Sequence, residues 1–449
     1  MASSNQSGNP YRAVLRRDYP EPLIALLAFV LGIWLWDHYF GQEGGYAPGT
    51  EEIALVKIDR DLRLADAMTE DPAWLKWMAG VHDPATTQRD ALGVLEKLAI
   101  DKSISTRGLE AYAIVKAEHE KLPVGETLAN ALQGQMISDY EEISTSLANH
   151  HGTWWDAKLI DAWGKNVRLG PYWRQKFVQD SLGLRTRAVA AGGVVWLIGL
   201  VGLVFVPGTL MLMKRGLRTK RQGYGGAWPL PLGLVVFLVA TLAWIGFSMT
   251  LEFGIDALPG LHPAVGIFLD SAARMLPALI ALGLLFRRPS HALSVMGLNR
   301  PVALKAVFGT YSLLILVDQL LRKSMGNAGS NEPGGGLSLG DAGLWGLTFA
   351  LISTCLLAPI SEEILYRGVL FRAFRNRLGV ISAALISSSI FATLHFYDSF
   401  GLVSVGIFGL SCALIYSATG SLATAIVLHI LYNASIKIPE WIIYHAPLG

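Results

Sequence analysis

Polar and apolar positions follow two different rhythms along this chain. Nine stretches are apolar almost without interruption for about 18 residues or more, the length a helix needs to cross a bilayer. They are roughly 22–40, 188–213, 228–251, 263–286, 303–321, 343–371, 379–396, 400–418 and 420–438. Between the first and the second, over 41–186, the rhythm changes. Apolar residues there recur at helical spacing in "DRDLRLADAM", "RDALGVLEKLAI" and "GLEAYAIVKAEHEKL", with no sustained alternation of period two. The pattern predicts an all-α, polytopic membrane protein with about nine transmembrane helices and an all-α extramembrane domain between helices 1 and 2. The expected division is a tail and first helix over 1–40, the extramembrane domain over 41–186, helices 2 and 3 over 187–260, and a membrane core over 261–449.

Composition sharpens this picture. Of the 449 residues, 52% are hydrophobic and 16% charged, against about 25% charged in soluble domains. The lipid bilayer is therefore the expected surrounding, and no feature points to nucleic acid. The segment 41–186 differs, with 22 Asp and Glu against 16 Lys and Arg. Cys355 and Cys412 both fall in apolar spans, where packing is their expected role. The first apolar run ends in "GIWLWDHYF" without a small-residue cleavage site, so an anchor is expected there rather than a cleaved signal.

Charge in the short connections predicts orientation, because Lys and Arg concentrate on the cytoplasmic side. Arg12, Arg16 and Arg17 precede the first span, "KRGLRTKRQ" (214–222) carries five basic residues, and "RRPSHALSVMGLNRP" (287–301) and "RAFRNRLG" (372–379) carry three each. All four segments fall on one face when the spans are counted, while "EFGIDALPGLH" (252–262) has no Lys or Arg. The expected location is a cell membrane, with a cytoplasmic N-terminus and residues 41–186 non-cytoplasmic. In "NHHGTWWDA", His150, His151, Trp154 and Trp155 cluster; a helix connection with core tryptophans is favoured over a metal or ligand site. The glycine-rich stretch 327–343 reads as an outer loop.

Ionisable groups inside apolar helices are costly and usually functional. "SEEILYRGVL" (361–370) places Glu362, Glu363 and Arg367 in one span. Adjacent residues project about 100° apart on a helix, so the two glutamates have different outlooks. Arg367 lies four residues after Glu363, on the same face, which predicts an ion pair; Glu362 is left to accept a proton. "FATLHF" puts Phe391 and His395 four apart, and "HILYN" does the same for His429 and Asn433. Carboxylates, imidazoles and an amide on three neighbouring spans make a hydrolase inventory: groups to activate water and donors for an oxyanion. No Gly-x-Ser-x-Gly elbow, His-Glu-x-x-His pair or Walker loop is present. Asp270 with Arg274, and Asp318 with Arg322, are four apart and predict plain intrahelical pairs.

"EEILYR", "FATLH" and "HILYN", in this order, resemble the three motifs of the CAAX protease and bacteriocin-processing family, which includes the type II CAAX prenyl endopeptidases. The resemblance covers about residues 265–440 and leaves the first 230 residues without a counterpart. It implies an intramembrane endopeptidase acting on membrane-associated or lipid-modified proteins or peptides, with its cavity open to the cytoplasm. Carried over, Glu362 with His395 positions and activates water, Glu363 and Arg367 hold the site together, and His429 and Asn433 stabilise the oxyanion. Members have been described both as glutamate-type proteases, which need no cofactor, and as metalloproteases. His395, His429 and one glutamate could form a three-ligand zinc site, although a carboxylate paired to Arg is a poor ligand. The alternative reading is a non-proteolytic membrane scaffold or bacteriocin-immunity-type protein on the same fold. The sequence names no partner for the outer domain.

Overall fold

The computed structural model describes residues 50–100, 104–124, 126–127, 152–163, 171–217, 228–256, 262–325, 343–395 and 399–448. The expected first span, the arginines before it, His150, His151 and the loop 327–342 lie outside them. The described residues form helices and no strand. They divide into two compact units. One takes the described residues of Gly41–Leu197 and Ile436–Gly449; the other takes those of Ile198–Asn331 and Leu339–Ser435.

The first unit begins with five short helices: α1 (Thr50–Ala67), α2 (Ala73–Ala79), α3 (Pro84–Ile100), α4 (Thr106–Glu120) and α5 (Trp154–Trp163). Their apolar stripes meet in a core built around Leu62, Leu95, Leu98, Ile114, Trp154 and Trp155. Trp154 and Trp155 are each 1% exposed, which makes them core tryptophans. The Trp154 backbone N–H donates to Asp59 at 2.6 Å, and its indole N–H donates to Asp66 at 2.8 Å. Asp59 also accepts from Arg63 at 2.9 and 3.0 Å. Arg63 stacks on Phe177 and donates to the Gly152 carbonyl, so Nε and Nη2 of this buried charge are engaged while Nη1 makes no hydrogen bond. The same unit holds the chain's end. Ile443 and Leu448 pack with Leu64, Leu184 and Ala188, and Arg60 donates to the carbonyls of Ile443 and Ala446 at 3.3 Å each.

The long apolar helices dominate the rest. α6 (Pro171–Leu203) is followed by α7 (Val206–Leu217), α8 (Leu230–Asp256), α9 (Pro263–Ala273), α10 (Leu276–Leu285), α11 (Pro289–Met296) and α12 (Leu304–Met325). Next comes one continuous helical rod from Gly343 to Arg377. It is built of α13 (Gly343–Ile352), a π-helical segment π1 (Ser353–Leu357), α14 (Ala358–Glu362), a second, π2 (Glu363–Phe371), and α15 (Arg372–Arg377). α16 (Val380–Thr393), α17 (Ser399–Thr419), α18 (Leu422–Glu440) and a third π segment, π3 (Trp441–His445), complete the chain.

Seven helices among the described residues are long and apolar enough to cross a membrane, which makes this a multi-pass membrane protein. The expected count of nine differs for two reasons. The first span lies outside the described residues, and the stretch 379–396 forms only the 14-residue helix α16, short for a bilayer. Gly420 makes the tight turn between α17 and α18 at φ +64°, a left-handed conformation that strains any side-chain-bearing residue.

Candidate active site

The rod that carries the glutamates is not a regular α-helix, and one residue explains its first swelling. Pro359 has no backbone N–H, and its ring crowds the carbonyl of Cys355 four residues earlier. The helix widens into π1 just before it, where the Ala358 N–H reaches back five residues to the Ser353 carbonyl. In that register the next acceptor, Thr354, would look to Pro359 and find no hydrogen. Asn433 fills the gap: its side-chain amide donates to the Thr354 carbonyl at 3.0 Å. Thus α18 is tied to the rod at the flaw that Pro359 creates.

One turn later the rod widens again. π2 is nine residues long and is buried throughout. Glu363, at 0% side-chain exposure, faces Arg367, at 1%, with Oε1 to Nη1 2.9 Å. Neither Nη1 nor Nη2 of Arg367 makes a well-directed hydrogen bond, so the pairing is one of charge more than of hydrogen-bond geometry. The guanidinium also lies 4.3 Å from the centroid of the Phe391 ring, an added cation–π contact. Gly409 gives that arrangement its space. A Cβ there would stand 3.0 Å from Arg367 Nη2 and 3.1 Å from Phe391.

His429 of α18 stands between the two glutamates. Its Nδ1 is 2.9 Å from Glu363 Oε1, and its Nε2 is 3.8 Å from Glu362 Oε2. The imidazole is 3% exposed, whereas Glu362 keeps 27% of its side chain open. With Glu363 accepting from Nδ1–H, the tautomer follows: Nε2 turns its lone pair toward Glu362. At 3.8 Å the second gap is too long for a direct hydrogen bond and suits a bridging water.

Phe391 joins the remaining parts. Its ring contacts Tyr366 at 4.9 Å, His395 at 4.5 Å and His429 at 6.1 Å between centroids. His395 Nδ1 lies 2.7 Å from the Phe391 carbonyl one turn earlier, which leaves Nε2 as its outward nitrogen. The structure therefore brings Glu362, Glu363, Arg367 and His429 together directly. It places His395 against the same aromatic ring, and puts Asn433 one turn beyond His429, engaged with Thr354.

Two differences from the sequence expectations stand out. His429 is bound first to Glu363, the same carboxylate that meets Arg367, so the glutamates share a histidine from opposite nitrogens. Asp318 and Arg322 do not form a close intrahelical ion pair. Asp318 instead accepts hydroxyl hydrogen bonds from Ser404 at 2.6 Å and Tyr432 at 2.5 Å, and Arg322 stacks over Phe400 at 4.9 Å. Burial of three helices against one another outcompetes the local pairing. Asp270 and Arg274 do pair, at 3.4 Å. Phe408, Tyr432 and Cys412, whose thiol adjoins Glu363, carry no sequence signal that singles them out. Among the described residues no three of His, Cys, Asp and Glu converge to hold a metal ion.

These features define a polytopic helical membrane protein with a buried carboxylate–imidazole–carboxylate site. Residues 344–435, which contain all three motifs, match the family model described as type II CAAX prenyl endopeptidase, Rce1-like. Over this segment the chain is similar to the type II CAAX prenyl endopeptidases. The chain is also similar to an uncharacterized 24.3 kDa protein of Escherichia coli, 26% identical over 198 residues that cover 43% of this chain and 90% of that protein. No solved structure matches the chain.

Proposed function

We propose that this protein is an intramembrane endopeptidase of the glutamate type, hydrolysing peptide bonds in membrane-associated or lipid-modified proteins. The observation that carries the proposal is His429 between two carboxylates, 2.9 Å from one and 3.8 Å from the other. Glu362, the accessible carboxylate, takes a proton from water, and the oxygen adds to the scissile carbonyl. The resulting oxyanion is met by N–H donors. Glu362 passes the proton from water to His429 Nε2, and the imidazolium, its charge compensated by Glu363, donates to the oxyanion together with the second amide hydrogen of Asn433. His395 Nε2, the nitrogen without a hydrogen, accepts from the water and helps to position it. Glu362 then takes the proton back from His429 and delivers it to the leaving amine, which restores the neutral imidazole. Glu363 and Arg367 touch no substrate; they hold His429 and the rod in register. Residues 41–186 and the N-terminus lie on opposite faces of a cell membrane in this reading, with the cavity open to the cytoplasm.

The test has two arms. Membrane fractions of cells making wild-type or Glu362→Ala protein are compared by proteomics for a protein that stays uncleaved only in the variant. Purified protein in nanodiscs is then assayed on a peptide from that protein. Cleavage by wild type and none by Glu362→Ala is expected. A phenotype that Glu362→Ala leaves intact would point instead to a scaffold and overturn the peptidase reading.

A further inference from the structure

Asp318 is a carboxylate within a helix apolar enough to span a membrane, and the mechanism above makes no use of it. Its two oxygens are spent on two other helices. Oδ1 accepts from Ser404 of α17 at 2.6 Å, and Oδ2 accepts from Tyr432 of α18 at 2.5 Å. The two hydroxyls are themselves 3.3 Å apart, and both residues are buried, at 8% and 6% exposure. One carboxylate therefore joins α12, α17 and α18 at a single level.

That level is the level of His429. Tyr432 follows it by three residues on α18, on the adjoining face. The Tyr432 ring stacks on Phe408 at 4.6 Å and 16° between planes. Phe408, one turn after Ser404 on α17, presses edge-on against the His429 ring at 4.7 Å and 70°. Phe391 closes the other side of the imidazole. Glu363 holds one nitrogen of His429 but leaves the ring free to tilt about that bond. The Phe408 wall limits the tilt, and Asp318 fixes the wall through Tyr432. A tie serving helix packing alone would need neither the stacked ring nor its alignment on a histidine.

We propose that Asp318 is a positioning residue for His429: through the Tyr432 hydroxyl and the stacked Phe408 ring it holds the imidazole at the angle that keeps Nε2 toward Glu362. The effect on catalysis rests on the peptidase reading; the effect on His429 itself does not.

Asp318→Asn and Tyr432→Phe are purified alongside wild type, with Asp270→Asn as a control at an exposed ion pair. Three quantities are measured: kcat and KM on one peptide, the thermal midpoint, and the rate at which diethylpyrocarbonate modifies His429, followed by mass spectrometry of its peptide. Both variants are expected to lose about tenfold in kcat with KM little changed, the mark of misplacement. His429, shielded in wild type at 3% exposure, is expected to react faster in both. If Asp318→Asn fails to fold, Tyr432→Phe, which deletes one oxygen, decides. Folded variants with wild-type kcat and wild-type His429 reactivity overturn the proposal. So does a fall in thermal midpoint and kcat with His429 reactivity unchanged, which would mark a helix tie only. Faster modification of His429 in a protein that cleaves nothing, wild type included, upholds the positioning and sinks the peptidase reading instead.

Discussion

At the scale of single residues, adjacent glutamates have opposite surroundings, and this sets what their loss should do. Glu362 is accessible and bound to no cation, so Glu362→Gln keeps size and polarity and removes only the base. Its turnover should fall about 100-fold or more, the usual scale of general-base loss, with the thermal midpoint in detergent unchanged. Glu363 is enclosed with Arg367 and His429. Glu363→Gln leaves a buried guanidinium without its counter-charge, a change that costs about 3–5 kcal/mol, so both midpoint and activity should drop. Melting curves and cleavage rates of the two variants on one substrate check this; a stable, inactive Glu363→Gln beside an active Glu362→Gln would reverse the roles. A second residue-scale expectation concerns pH. Asp71 receives Nε and Nη2 of Arg185 at 2.6 Å each, and this hydrogen bonding holds its carboxyl below the usual carboxylate range. A depressed acid stabilises the fold fully above its unfolded value and ceases to as pH falls through its folded value. Asp71→Asn should therefore melt below wild type at pH 7, and the gap should close as pH is lowered through the acid range. A gap that persists at the lowest pH would show that the pair does not act through charge.

At the scale of elements, helix propensity was readable and helix irregularity was not. The apolar runs predicted the rod, but a pattern of hydrophobicity does not distinguish 3.6 from 4.4 residues per turn, and Pro359 alone does not say whether a helix will kink, break or swell. The swelling matters because it strands the Thr354 carbonyl, and Asn433 meets it. Asn433→Ala should cost about 1–3 kcal/mol through that unsatisfied carbonyl, apart from any catalytic effect. Pro359→Ala restores a backbone N–H and should shrink this cost. A double-mutant cycle of thermal midpoints tests the coupling; strictly additive losses would mean that Asn433 does not serve the π segment.

At the scale of the whole molecule, the chain's end bears on topology. Within one unit, Tyr444 donates to Asp61 at 2.6 Å and Arg187 to the Pro447 carbonyl at 2.5 Å. These contacts tie the C-terminal residues to α1 and α6, so the C-terminal residues and α1 are expected on the same side of a membrane. Between α5 and the C-terminus lie the seven candidate spans. An odd number of crossings would put the ends on opposite sides, so we expect α16, though short, to supply an eighth. Its 14 residues measure about 21 Å, which a bilayer accommodates by local thinning. In a background without Cys355 and Cys412, cysteines at 89 and 447 should react with an impermeant reagent from one side and a cysteine at 377 from the other. Labelling of 89 and 447 from opposite sides would exclude a membrane-crossing α16.

What the sequence determined by itself is local. Runs of apolar residues specified the helices, their composition placed them in lipid, and a four-residue spacing brought Glu363 to Arg367, because those partners lie within one turn. The three motifs carried the family resemblance without arranging the residues. The tertiary structure decided which nitrogen of His429 meets which glutamate, across 66 residues. It decided that Asn433 reaches Thr354, across 79 residues, and that Asp318 abandons Arg322 for Tyr432, across 114. Such contacts leave no period in the chain. They arise when buried polar groups, shut away from water, must find partners among whatever the packed helices bring within 3 Å, and only the fold sets that choice.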